Sequence, residues 1–250
     1  MKKIVLLIIA VITFSACKEN TEATKKKENK YPKHLSKVFQ KHGGLNKWNE
    51  LNQLSFVKGN EKHVIDLKSR KSLITSENYR LGFDGSNVWL QQKDSTSFSF
   101  KGNKNFYYNL YFYFYAMPFV LADDGIVYEE SKPLSFENKS YPGVKISYKA
   151  NIGSSPDDNY YVYYNPKTYQ MEWLQYSVTF FSKKPTTKVN TIRYNDWVDV
   201  DGFLLPNSLT WYKKDAEGNI SEPARSATLF TNQKVNKEKL DERMFYESKE

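Results

Sequence analysis

The sequence predicts a mainly β fold of the α+β class, built on a single antiparallel sheet. Aromatic residues make up 16% of the 250 residues, with 19 Tyr, 16 Phe and 5 Trp, and such rings favour pleated strands. Short segments with alternating apolar and polar residues follow one another along most of the chain and are separated by polar turns. Helical spacing is found in only two segments, near residues 34–49 and 105–117.

The N-terminus has the pattern of a secretory signal. Two lysines precede an apolar run over residues 4–12, which is shorter than the roughly 20 residues that span a membrane. Phe14-Ser15-Ala16 then leads into Cys17, the only cysteine of the chain, and this arrangement resembles a bacterial lipobox. We therefore predict a lipoprotein signal peptide at residues 1–16 and an acylated, palmitate-bearing Cys17 that anchors the chain to a membrane. The alternative is a plain secretory signal in which Cys17 has no role.

Residues 17–33 are polar and lysine-rich, and they predict a flexible basic tether between the lipidated cysteine and a globular domain at residues 34–250. The net charge of +9 resides partly in the signal and the tether, so the domain is mildly basic and nucleic acid is not an expected partner. The sequence shows no catalytic motif and few metal ligands, which predicts no enzyme, no metal and no cofactor. We expect His34, His42 and His63 to be surface or packing residues whose individual replacement is mild.

The domain is predicted to begin with a helix over residues 34–49, interrupted at Gly43-Gly44. An antiparallel meander follows, and strands resume after the aromatic segment at residues 105–117. The predicted strands lie at residues 54–59, 63–67, 79–83, 88–90, 143–148, 160–164, 169–181, 186–200, 203–212 and 229–231, and a final strand pair is expected to be joined at Glu217-Gly218-Asn219.

Residues 105–117 contain eight aromatic side chains in thirteen positions, so the period of this segment is ambiguous. Propensity favours a strand, whereas spacing favours a helix with Asn105 as N-cap and Pro118 as the stop. We predict a helix that is buried over most of its surface, serving either core packing or ligand contact. Its helical face has four apolar residues: Phe106, Leu110, Phe114 and Met117.

Two hairpin motifs stand out in the second half of the chain. Tyr163-Tyr164-Asn165-Pro166-Lys167-Thr168 ends a strand with Asn-Pro-x-Thr, and Asp201-Gly202-Phe203-Leu204-Leu205-Pro206 turns at a glycine and ends on a proline. With the lipobox-like cysteine and the glycine break in the first helix, these motifs resemble the LolA/LolB-like outer-membrane lipoprotein-carrier superfamily, in which Asp is usual at position 165. The similarity covers roughly residues 34–231.

This resemblance implies an unclosed half-barrel whose concave face is covered by helices, with an apolar cavity that binds an acyl chain or another hydrophobic ligand. It also implies lipid or lipoprotein handling at the outer membrane of a Gram-negative envelope, on the periplasmic side or at the cell surface. We expect a membrane-anchored monomer. The expected ligand-binding residues are Leu110, Phe114, Met117, Trp89, Tyr176 and Phe180.

The main alternative is a surface-exposed lipoprotein that contacts glycans or proteins and has no lipid cavity. Its rings would face solvent on the outer face of the sheet, where an aromatic face and a polar edge suit such contacts. The row expected in that case consists of Tyr161, Tyr163, Trp173 and Trp211. The two interpretations therefore differ in whether the rings enclose a cavity or face the solvent.

Overall fold

The computed structural model describes residues 30–93, 98–149 and 157–248. The described residues from Tyr31 onward form one compact unit. The predicted signal peptide, Cys17 and the tether up to residue 29 lie outside the described residues. The division of the chain into signal, tether and domain therefore stays a prediction.

Two short helices come first, α1 (Lys33–Lys41) and α2 (Leu45–Trp48). Helix α1 buries Leu35, Val38 and Phe39, which lie three to four positions apart on one side. It ends before Gly43 and Gly44, which adopt positive φ angles of 117° and 89°, a conformation that suits glycine and stops the helix. The predicted interruption of the first helix is thus observed.

All thirteen strands of the described residues join one antiparallel sheet. They are β1 (Gln53–Lys58), β2 (Glu61–Asp66), β3 (Ser72–Thr75), β4 (Tyr79–Phe83), β5 (Val88–Gln92), β6 (Ile126–Phe136), β7 (Lys139–Tyr148), β8 (Tyr160–Tyr164), β9 (Met171–Tyr176), β10 (Asn190–Val200), β11 (Phe203–Lys214), β12 (Ile220–Pro223) and β13 (Thr228–Asn236).

The order across the sheet is β5-β4-β3-β2-β1-β13-β11-β10-β9-β8-β7-β6, with β12 paired to β11. Strands β5 and β6 are the two ends of this order, so the sheet does not close into a barrel. The N-terminal meander joins the rest through β1 and β13, where Gln53 pairs with Asn236. Strands β3 and β6 were not predicted. Strand β3 is only four residues long and sits between two polar turns, and β6 contains Pro133 and several charged residues.

A third helix, α3 (Lys104–Tyr115), covers the same face of the sheet as α1, and we call this face the inner face. A short 3-10 helix, Phe119–Ala122, follows it. The main hydrophobic core lies between these helices and the inner face. A mainly β fold with an unclosed antiparallel sheet and helices on one face is therefore confirmed.

Residues 105–117 form a helix for most of their length, as the spacing predicts. The side chain of Asn103, two residues earlier than the expected cap, accepts a hydrogen bond from the backbone N–H of Phe106 at 3.2 Å. The helix ends at Tyr115, shortly before Pro118. None of the described helices is long and apolar enough to span a membrane.

The outer face of the sheet carries two smaller clusters. In one, Trp173 and Tyr163 pack under Leu134 and Tyr141 from the β6–β7 hairpin. In the other, the C-terminal 3-10 helix, Glu242–Phe245, covers β3 and β5. Large parts of both faces are thus shielded from solvent.

Candidate functional site

One side of α3 packs against the sheet through three tyrosines at four-residue spacing, Tyr107, Tyr111 and Tyr115. Tyr115 is fully buried and its ring stacks on Phe56 of β1 at a centroid distance of 4.1 Å. One position earlier, the backbone carbonyl of Phe114 accepts a hydrogen bond of 2.9 Å from the hydroxyl of Tyr194 on β10. Both contacts hold the C-terminal half of the helix against the centre of the sheet.

The N-terminal half of α3 is fastened by a polar cluster around Glu61 on β2. The hydroxyl of Tyr107 on α3 donates to the Glu61 carboxylate at 2.8 Å, and the hydroxyl of Tyr79 on β4 donates to it at 2.5 Å. The ammonium of Lys58 pairs with the same carboxylate at 2.9 Å, and its side chain lies over the ring of Tyr111. The Glu61 carboxylate on β2 thus links β1, β4 and α3.

The pKa values in this cluster follow from its contacts. Burial alone would raise the pKa of Glu61, but the hydrogen bonds from His63, Tyr79 and Lys58 outweigh it and hold the pKa at about 2. Burial lowers the pKa of His63, which the neighbouring carboxylate only partly offsets. The cluster is therefore an ionised carboxylate surrounded by donors.

The opposite side of α3 faces a pocket that we call the inner pocket. It lies between α3, strands β7 to β9 and the residues after β9, and its volume is about 100 Å³. Its lining residues are Asn105, Phe106, Asn109, Leu110, Tyr113, Phe114, Tyr148, Asp158, Tyr160, Tyr176, Ser177, Val178 and Phe180. The helix contributes two parallel stripes at four-residue spacing, one apolar and one polar.

The apolar stripe of the inner pocket consists of Phe106, Leu110 and Phe114. Phe106 contacts the rings of Phe180 and Phe181 at centroid distances of 5.2 and 5.0 Å. Phe181 is 65% exposed, which is unusual for a phenylalanine. An exposed aromatic residue thus lies beside the apolar wall of the pocket.

The polar wall of the inner pocket is made of tyrosines and one carboxyl group. The rings of Tyr148 and Tyr160 meet edge to face at 6.1 Å. Burial raises the pKa of both hydroxyls and that of Tyr113, so all three stay protonated. Burial also raises the pKa of Asp158, whose carboxylate accepts a hydrogen bond of 2.6 Å from the backbone N–H of Thr179.

The structure brings together four of the six residues expected to bind the ligand. Leu110, Phe114, Tyr176 and Phe180 all line the inner pocket. Met117 lies beyond the end of α3 and is buried in the main core. Trp89 packs on the outer face, where its indole N–H donates to the carbonyl of Phe245 at 2.7 Å. The polar wall residues Tyr148, Asp158 and Tyr160 were not predicted.

The expected solvent-facing row of rings does not form in the described residues. Trp173 is fully buried and Tyr163 is only 5% exposed, both beneath the β6–β7 hairpin. Tyr161 is half-buried beside them. Trp211 belongs to the inner face, where its indole N–H donates to the hydroxyl of Tyr176 at 3.0 Å.

A wider groove of about 550 Å³ lies at the N-terminal end of α1. His34, Tyr164 and Tyr169 line it with rings whose planes differ by less than 20°. Their centroids form a triangle with sides of 5.7 to 6.5 Å, so the three rings lie side by side and do not form one continuous stack. This groove lies on other elements than α3 and shares no lining residue with the inner pocket.

The histidines occupy unlike positions. His34 is exposed, whereas His42 is fully buried between α1, β9 and β11. His63 is also buried and faces Glu61. Within the described residues, no group of three or more His, Cys, Asp or Glu side chains is placed to hold a metal ion.

Comparison with known proteins gives one match to a family model, over residues 89–209. That model is described as a family of unknown function, DUF6503. The matched region contains α3 and every residue that lines the inner pocket. No curated protein matches the chain.

Several solved structures are similar to the chain at low identity. A LolA superfamily protein from Nitrosomonas europaea is 8% identical over 84% of this chain and 96% of its own, with a TM-score of 0.39. A DUF1329 family protein from Desulfovibrio piger is 10% identical over 84% and 95%, with a TM-score of 0.47. An outer membrane lipoprotein-sorting protein domain from Vibrio parahaemolyticus is 8% identical over 78% and 88%, with a TM-score of 0.40. The chemistry of the site therefore has to come from the residues of this chain.

Proposed function

We propose that this protein is a membrane-anchored lipoprotein that binds an acyl chain or a similar apolar ligand between α3 and the inner face of the sheet. The observation that carries the proposal is the inner pocket, whose apolar stripe continues into the exposed ring of Phe181. Apolar side chains that line a pocket and reach its rim are typical of sites for hydrophobic ligands. The role is binding, without catalysis, in lipid or lipoprotein handling at the cell envelope.

The size of the pocket requires a movement when the ligand binds. A volume of about 100 Å³ corresponds to roughly three water molecules in the liquid, whereas drug-sized ligands occupy about 300–1,000 Å³. An acyl chain therefore has to displace side chains of the apolar stripe. Leu110 and Phe106 are half-buried and have less packing to lose than Tyr115 on the fastened side of α3. We propose that the pocket widens on the side of Phe106 and Phe180.

Replacing Leu110 by Asp should reduce ligand binding at least tenfold, which corresponds to about 1.4 kcal/mol. The new carboxylate would have to be desolvated by any apolar ligand in the pocket, although in the free protein water can reach it. Binding can be measured as photo-cross-linking of a long-chain alkyl diazirine with an uncharged head to the full chain in cell membranes. Resistance to proteolysis reports whether the variant stays folded.

Leu229→Asp is the matched control, because Leu229 is 60% exposed on β13 and the same substitution is made there. It should leave cross-linking unchanged. Equal cross-linking of Leu110→Asp and Leu229→Asp would contradict the proposal. Phe114→Asp is a poor test, because Phe114 is only 3% exposed and packs on Tyr176 and Trp211, so this variant would lose stability together with binding.

Replacing Cys17 by Ala should abolish acylation and release the chain from the membrane fraction. We propose that Cys17 is the lipid attachment site, on the basis of the preceding Phe14-Ser15-Ala16 and the signal-like apolar run. Two or more acyl chains anchor a protein stably, and one buried methylene contributes about 0.8 kcal/mol. Metabolic labelling with an acyl precursor, followed by fractionation, checks this. A labelled, membrane-bound variant would show that the anchor lies elsewhere.

A further inference from the structure

Three tyrosine hydroxyls of the inner pocket have no hydrogen-bond partner among the described residues. They belong to Tyr113 on α3, Tyr148 on β7 and Tyr160 on β8, and all three residues line the pocket. Each residue is partly buried, and none of the three hydroxyls contributes to holding the described fold. None of the three hydroxyls is fully buried, so water can bond to them in the free protein, and a ligand that displaces this water has to provide hydrogen-bond acceptors in its place.

The charges around the pocket restrict what this partner can be. Asp158 is the only acidic residue among the described residues that line the pocket, and Lys, Arg and His are missing from that lining. Lys183 lies outside it, with its ammonium 4.4 Å from the ring centroid of Phe180. A carboxylate or phosphate bound among the tyrosines would therefore sit near Asp158 without a lining cation, and an uncompensated buried charge is costly.

We infer that the wall formed by Tyr113, Tyr148 and Tyr160 binds the uncharged, oxygen-rich head of the ligand, namely an acyl ester of glycerol. This inference rests on the proposed function, in which the acyl chain lies along Phe106 and Leu110. Ester carbonyls accept hydrogen bonds from tyrosine hydroxyls, and glycerol hydroxyls can donate to the Asp158 carboxylate. The polar stripe of Asn105 and Asn109 on α3 adds further donors and acceptors at the same pocket. The site thus selects neutral acylglycerols over free fatty acids and phospholipids.

The test compares two photoreactive probes with the same diazirine-bearing chain, a monoacylglycerol and a free fatty acid, on the full chain in cell membranes at pH 7.5. The wild-type chain should cross-link about tenfold more of the acylglycerol probe. The double variant Tyr148→Phe/Tyr160→Phe should lose about tenfold of that labelling, because two hydrogen bonds of about 0.7 kcal/mol each are removed. Its fold should persist, since neither hydroxyl bonds to a described residue.

Tyr161→Phe is the matched control, because Tyr161 follows Tyr160 on β8 and packs with the outer-face cluster. It should leave labelling unchanged. Equal labelling by both probes, or undiminished labelling of the double variant, would overturn the inference and leave the proposed function in place. If neither probe labels the wild-type chain, the proposed function itself fails.

Discussion

Replacing His42 by Ala should lower the free energy of unfolding by about 4 kcal/mol. The imidazole is fully buried, and its Nδ1–H donates to the carbonyl of Leu204 at 3.1 Å. Its Nε2 accepts a hydrogen bond of 3.1 Å from the backbone N–H of Met171. The substitution leaves a cavity and two backbone groups without partners, and each unpaired group costs about 1–3 kcal/mol. Urea unfolding of the purified chain measures the loss.

His34→Ala is the control for this experiment, because His34 is exposed at the end of α1 and should tolerate replacement. Similar small losses for both variants would contradict the structural role of His42. The sequence led us to expect a mild effect for each histidine. The structure separates them, because His42 joins α1 to two strands while His34 does not.

His42 also makes stability depend on pH. Burial lowers its pKa from 6.5 to about 4, because the charged imidazolium would lose its hydration, and the hydrogen bond to Leu204 offsets this only in part. Between these values the unfolded chain binds a proton and the folded chain does not. Stability is therefore complete above pH 6.5 and falls by about 3 kcal/mol as the pH drops to 4. His42→Ala should remove this part of the pH dependence.

Replacing Glu61 by Ala should cost about 3 kcal/mol of stability and loosen the N-terminal half of α3. The substitution leaves the hydroxyls of Tyr79 and Tyr107 and the ammonium of Lys58 without their common acceptor. Urea unfolding measures the total loss, and amide hydrogen exchange over residues 104–115 shows whether the helix is affected first. Unchanged exchange in α3 would mean that the cluster does not fasten the helix.

Glu242→Ala provides the control for Glu61→Ala. Glu242 pairs with Lys71, but its side chain is 68% exposed, and such surface pairs contribute little. The free energy of unfolding measured as a function of pH below 4.5 gives a second check. The pKa of Glu61 is held at about 2, so its contribution is present above its ordinary pKa of 4.5 and is lost as the pH falls from 4.5 towards 2. Glu61→Ala should flatten the curve in that range, and Glu242→Ala should not.

The helix over the sheet could be predicted from the sequence because its signals are local. Phe106, Leu110 and Phe114 recur at four-residue spacing, and this periodicity correctly outweighed the strand propensity of the aromatic residues. The same pattern failed for Met117, because the helix ends at Tyr115 and the spacing no longer places later side chains. Local signals thus identified the helix and the apolar stripe that it contributes to the inner pocket.

The polar wall of the pocket could not be predicted, because it depends on contacts between distant strands. Tyr148 and Tyr160 come together through the pairing of β7 with β8, where Ile146 lies opposite Tyr160. Trp89 is the opposite case, a residue that was expected at the pocket but lies on the outer face of the sheet. Its neighbours Val88 and Leu90 face α3, so the alternation of β5 turns Trp89 to the outer face. Because residues 88–90 are all apolar, the sequence does not show which of them faces the pocket.

The pairing of β1 with β13 determines when the sheet can be completed during protein synthesis. The amide of Asn52 donates to the carbonyl of Lys237, a partner 185 residues further along the chain. The ribosome therefore releases the whole β1–β5 meander long before its neighbour exists, and one edge of β1 stays open meanwhile. Open edges attract foreign strands, and pairings over such distances form slowly. A nascent or truncated chain without β13 should thus be a substrate for chaperones and a source of aggregates.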